Sequence, residues 1–175
     1  MLNRLDVLIQ TNVTLLDQAL SLVARIDDRA YSESPAGFAP HRVGAHLRHV
    51  LDFYACFFDG VTSGRVDYDA RRRDRAVESS QRAAFARIFR VIRRLEKNSL
   101  SEAVLRVRLE DAPEGVDNAF MPSSTARELQ ALSSHTIHHF AMIALTLAAH
   151  GVDVAPDFGV APSTLRHAAR QAEAA

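Results

Sequence analysis

One cysteine, Cys56, and one lysine, Lys97, stand in a chain of 175 residues, and neither sign of charge is in excess, since 21 Lys and Arg face 21 Asp and Glu. A single thiol closes no intramolecular disulfide and builds no cysteine-rich zinc ribbon. Any metal chemistry must therefore rest on histidine and carboxylate. The zero net charge supplies no global field for a nucleic-acid backbone. No uncharged apolar run reaches membrane-spanning length, which excludes a transmembrane helix. At 47% hydrophobic and 24% charged, the chain is too apolar to be disordered. The opening MLNRLDVLIQ is interrupted by Arg4 and Asp6 and leads to no small-residue cleavage site, so the expectation is a cytoplasmic protein. There is no internal repeat and no low-complexity linker, and the length suits a single domain over 1–175.

What is present is helical periodicity. Between residues 3 and 28, Leu5, Leu8, Ile9, Leu15, Leu16, Ala19, Leu22, Val23 and Ile26 fall at the spacing of one buried helix face, with the polar Asn12 inside the stripe. Ser32, Pro35, Gly37 and Pro40 break the chain. Val43, Leu47, Val50, Leu51, Tyr54, Phe57 and Phe58 mark a second helix over 41–59, for which Gly60 is the expected stop. Residues 61–79 read as polar and irregular, with Ser79 or Ser80 capping a third helix over 81–97. Phe85, Ile88, Phe89, Ile92 and Leu95 line one face of that helix, and Arg87, Arg90 and Arg94 the other.

The helical period disappears between residues 99 and 122, where Val107 and Leu109 alternate with Arg106 and Arg108, and Pro113 and Gly115 supply a turn. A short hairpin or another ordered excursion is the expectation there. Ser123, Ser124 or Thr125 then caps a long fourth helix ending near Gly151, with Glu128 read as a capping-box partner. The tail is irregular, with a short helix from Ser163. The predicted fold is all-α, a four-helix bundle with one excursion between its third and fourth helices. Bundles of this kind build sites from side chains on facing helices.

Histidine is the informative residue type, because five of the eight fall in two clusters: His46 with His49, and His135 with His138 and His139. On the fourth helix the apolar stripe is centred on Leu129, Phe140 and Leu147. Glu128, His135, His139, Met142 and Thr146 form a narrow line beside it at roughly 100° per residue, and His138 lies off that line. His135 and His139 are therefore i and i+4 on one face, the spacing at which two imidazoles grip one ion. His46 and His49 sit together beside the apolar stripe of the second helix, and the angles do not choose between them. Imidazole suits zinc or nickel first, with iron and manganese as further candidates, and an open fourth position could activate water or a thiol. Ordinary imidazoles protonate near pH 6.5, so affinity is expected to fall below that.

The segments GAHLRHVLDFY and SSHTIHHFAMIALTLAAHG together resemble the DinB/YfiT-like superfamily of metal-binding four-helix bundles. The resemblance runs from the first helix to Gly151 and implies a metal site of three histidines, one from the second helix and two from the last. The matching positions are His49, His135 and His139, which leaves His46 and His138 as pocket residues. Where many members continue with Arg-Gly-Gln, this chain has Phe140, Ala141 and Met142. The family implies a small-molecule substrate, with hydrolysis or transfer of a low-molecular-weight thiol as the reaction.

Glu128 is the candidate general base, or an acceptor for an imidazole N–H. Asp52 is read as pairing with Arg48 at the surface, with a place in the pocket as its other reading. Cys56 is assigned to packing, and Tyr68 and Asp69 to a segment read first as a solvated loop, with folding over the open metal position as its other reading. Residues 65–94 hold ten Arg against Asp67, Asp69, Asp74 and Glu78. That segment is read as a solvated helix face, with an anionic small molecule as its next use and nucleic acid disfavoured for want of stacking aromatics. The alternative function is a non-catalytic helical binding or regulatory protein with structural histidines and an anion-binding Arg face. A homodimer is left open.

Overall fold

The computed structural model describes residues 3–37, 39–97, 100–109, 112–113, 116 and 119–173. In chain order these form α1 (Arg4–Val23), α2 (Asp28–Ser32), α3 (Val43–Ser63), β1 (Arg65–Val66), α4 (Arg75–Ser79), α5 (Gln81–Glu96), β2 (Val104–Arg108), β3 (Phe120–Ser124), α6 (Thr125–Ala149) and α7 (Pro162–Glu173). No helix among them is long and apolar enough to cross a membrane.

The chain is mostly helical, and a small mixed sheet corrects the all-α expectation. Its order is β1-β2-β3. β2 and β3 form the expected hairpin, antiparallel with Val104 opposite Ser124 and Arg108 opposite Phe120. β1 was not expected, because two residues carry no readable period; it joins β2 in parallel, Arg65 beside Arg106 and Val66 beside Val107. Gly115, assigned to the hairpin turn, lies outside the described residues.

α1 packs on α5 and α6, and α3 packs on the same two helices, which encloses a core of Leu16, Leu22, Leu47, Leu51, Ile88, Leu95, Leu129 and Phe140. Asn12 belongs to this core and is fully satisfied there. Its Nδ2 donates to the carbonyls of Leu8 at 2.8 Å and Leu129 at 3.0 Å, and its Oδ1 accepts from the Tyr54 hydroxyl at 2.7 Å. One amide thereby links α1, α3 and α6 and sets their mutual register, as a buried polar group does when all its bonds are made.

Boundaries moved where side chains outvoted pattern. α1 ends at Val23, short of residue 28, because Asp27 caps a new helix by accepting from Ala30 N at 2.8 Å. α3 runs through Gly60 to Ser63, and Gly64 ends it at φ +76°, a conformation glycine adopts freely. Gly60 is needed inside the helix, since a Cβ there would strike Val66 of β1. α7 buries none of its residues.

Gly44 brings α4 close to the first turn of α3. A methyl at this position would overlap the Glu78 carbonyl oxygen and the Tyr31 ring. Gly44→Ala is therefore expected to destabilise the fold by about 1–3 kcal/mol, read as a lower urea midpoint at unchanged m-value.

Candidate metal centre

The packing of α3 against α6 brings His49 together with His135 and His139: one ring nitrogen of each lies within 4.8 Å of the others. Ring centroids are 5.0 Å apart for His49 and His135, 4.5 Å for His49 and His139, and 4.6 Å for His135 and His139. A triangle with 4.8 Å edges has its centre about 2.8 Å from each corner, against zinc–nitrogen bonds of about 2.0–2.1 Å. Less than about 1 Å of side-chain closure separates the two.

His135 Nε2 is buried and has no hydrogen-bond partner among the described residues. An imidazole nitrogen left this way costs roughly 1–3 kcal/mol unless something else satisfies it. His46 supports the group from the preceding turn of α3, with its Nδ1 3.0 Å from His139 Nδ1. Only one of two facing nitrogens can carry the proton. With the proton on His139, the His139 Nε2 lone pair is free and its ring orientation is fixed by His46. His138 stands edge-on to His139 at 5.2 Å and makes no hydrogen bond among the described residues.

Aromatic rings wall one side. Phe53 stacks on His135 at 4.0 Å, and Tyr68 stacks on Phe53 at 4.8 Å. Arg71 lies over Phe53 at 5.4 Å from the ring centre and places Nη1 2.8 Å from His49 Nδ1. Sequence reasoning passed over both residues. Phe53 was findable, because it follows His49 by four residues and shares its helix face. Arg71 comes from a segment without a period, and nothing in its neighbourhood distinguished it from the arginines on either side.

Burial, followed by the neighbouring positive charges, pushes the imidazoles far below their ordinary range. His49 falls to about 4 through burial, then His135 and Arg71; His135 falls to about 4 through burial, then His138 and Arg71. His139 falls to about 3 through burial, then His135 and His49. All three are neutral at pH 7, the form in which nitrogen lone pairs are available. Between pH 6.5 and about 4 the unfolded chain binds protons at these rings and the folded chain does not, so stability falls as the pH is lowered across that window. Metal-free protein is thus expected to unfold at lower urea at pH 5 than at pH 7, with a smaller difference in His139→Gln, measured by circular dichroism.

Glu128 is fully buried, and both its oxygens are taken. Oε2 accepts from the Tyr68 hydroxyl at 2.7 Å, and Oε1 accepts from Ser123 Oγ at 2.5 Å and Arg127 Nη1 at 3.2 Å. It makes no hydrogen bond to a histidine among the described residues. The capping-box expectation is also corrected. Ser124 is the N-cap and accepts from Arg127 N, so Arg127 rather than Glu128 occupies the position a box requires. Asp52 pairs with Arg48 at 3.6 Å as expected, yet it is 3% exposed and therefore buried rather than at the surface. Burial raises the pKa of Asp52, with Arg48 opposing. Cys56 is buried in the core, and burial, then Asp52, pushes its thiol up to about 11.

No family model and no solved structure matches this chain. It is similar to FK506-binding protein 5 of Rhizopus delemar, with 36% identity over 109 residues. The match covers 61% of this chain and spans 28% of the length of that protein.

Proposed function

We propose that this chain is a metal-dependent enzyme on a four-helix bundle of the DinB/YfiT-like kind, with His49, His135 and His139 holding one divalent ion. The reaction is hydrolysis of a small molecule or transfer of a low-molecular-weight thiol to an electrophile. The observation that carries this reading is the convergence of three neutral imidazoles from two packed helices, one of them with a buried nitrogen that lacks a partner among the described residues. The pairing of α1 and α3 with both α5 and α6 supports the bundle. An all-imidazole set favours zinc or nickel, and tolerates iron or manganese.

Such an ion supplies Lewis acidity, which lowers the pKa of a water or thiol toward neutrality. The chain's own residues do the rest. His46 holds the His139 tautomer, and Phe53 covers the flat face of His135 and keeps solvent from it. Glu128 holds Tyr68 through a buried hydrogen bond, and Tyr68 backs Phe53, so Glu128 acts as a positioning residue. Arg71 brings a donor-only cation to the rim, suited to an anionic substrate group.

The test is elemental analysis and calorimetry on protein purified without a metal-affinity tag, stripped with chelator and reloaded. About one zinc or nickel per chain is expected. With site pKa values of about 4, 4 and 3, affinity should persist from pH 7 to about pH 5 and collapse below about pH 4, rather than decline from pH 6.5. Stoichiometry near zero with zinc, nickel, manganese and iron(II) would remove the enzyme reading and favour structural histidines.

A further inference from the structure

On the side of α3 away from the histidines, α3 and α5 leave a cleft of about 400 Å³. Its apolar wall includes Phe58 and Val91, and Arg72, Arg87, Arg90 and Arg94 stand around it with one carboxylate, Asp59. Asp59 meets Arg72 at 3.7 Å. Among the described residues, none of Arg87, Arg90 and Arg94 comes within 4.0 Å of a carboxylate. Asp52, on the same helix as Asp59, is already paired with Arg48.

The arrangement follows from helix geometry. Positions 87, 90 and 94 are spaced i, i+3 and i+7, so one face of α5 carries three like charges in a row, a pattern that works against the helix unless something neutralises it. Acidic residues on α3 could have done so, yet among the described residues the cleft holds only Asp59. Arg94 is partly ordered in advance: its guanidinium lies 4.2 Å over the Phe58 ring, and Nη2 donates to the Phe58 carbonyl at 3.5 Å. A planar cation laid on an aromatic ring keeps its outward N–H groups for another acceptor and loses less freedom when one arrives.

We infer that this cleft is a binding site for a small phosphorylated molecule, separate from the histidine site. Its phosphoryl group would accept from Arg87, Arg90 and Arg94, and its apolar part would lie against Phe58 and Val91. Guanidinium groups match phosphate oxygens in paired hydrogen bonds and stay charged at every accessible pH. The volume falls within the range of small-molecule sites, at roughly 300–1,000 Å³. Four guanidiniums against one carboxylate suit a dianion better than a monoanion.

The experiment is isothermal titration of the full chain, with chelator present, against phenyl phosphate, inorganic phosphate, phenol and a 20-base-pair duplex at physiological salt. Phenyl phosphate should bind, inorganic phosphate more weakly and phenol not at all. Arg87→Gln with Arg90→Gln should weaken phenyl phosphate about tenfold or more, as should the exposed single change Arg90→Glu. Circular dichroism checks that each variant is folded. Phenyl phosphate that fails to bind, or binds both folded variants as well as the parent, overturns the site. Duplex binding tighter than phenyl phosphate, and lost in the same variants, overturns it in favour of a nucleic-acid surface. Because metal is absent from every titration, failure of the metal centre leaves this result unaffected.

Discussion

Replacing His49, His135 or His139 singly with Ala is expected to lower zinc affinity by more than about 100-fold, whereas His46→Ala should cost about 10–100-fold and His138→Ala less than His46→Ala. The ranking follows from contacts rather than from the number of histidines present. His49, His135 and His139 each offer a nitrogen to one small volume, and removing any of them leaves two ligands. His46 touches the group only through His139 Nδ1 at 3.0 Å, so its loss frees a tautomer and a ring orientation but no ligand. His138 meets His139 edge-on and holds nothing by hydrogen bonding among the described residues. Titration of the five variants decides the ranking, with circular dichroism to confirm that each is helical. Binding abolished in His138→Ala and kept in His139→Ala would mean that α6 presents a different face to α3.

The part of the site written on helices was legible in the sequence. His135 and His139 share a face by spacing alone, and the inward direction of Asn12 was readable from its place in the stripe of α1. Choosing between His46 and His49 was beyond periodicity, since both flank the same stripe; only the family motif selected His49. The contacts made by loops and strand ends were not legible. Glu128 was placed on the histidine line by its angle, yet its oxygens are claimed by Tyr68 and Ser123, which reach it from outside α6. Gly60 looked like a stop because glycine commonly ends helices, and the neighbour that requires it, Val66, belongs to a strand too short to detect. The Arg-rich segment read as solvated because charge alone does not reveal a cleft. That cleft exists only once Phe58 and Asp59 of α3 face α5.

Arg71→Ala should tighten zinc binding by about 10–100-fold, a gain of affinity from deleting a side chain beside the site. A guanidinium can only donate, so the 2.8 Å contact makes His49 Nδ1 the acceptor and puts the His49 proton on Nε2. Neutral imidazole has one such lone pair. If His49 ligates through Nδ1, Arg71 loses its acceptor; if it ligates through Nε2, the proton moves to Nδ1 and points at a donor. Either way the contact and ligation exclude each other, and loading must break a charge-assisted hydrogen bond worth roughly 1.5–3 kcal/mol. Arg71→Gln should tighten binding as well, because the amide oxygen can accept from Nδ1–H and stabilise the tautomer with Nε2 free. Calorimetry with zinc measures the gain, and nitrogen chemical shifts of His49 report the tautomer independently, with Nε2–H expected in the metal-free parent. Affinity unchanged or weaker in both variants would show that Arg71 does not compete for His49. If the gain is found, the arginine displaced by loading is left at the rim of a charged site with its donors unpaired, where an anionic substrate group would meet it.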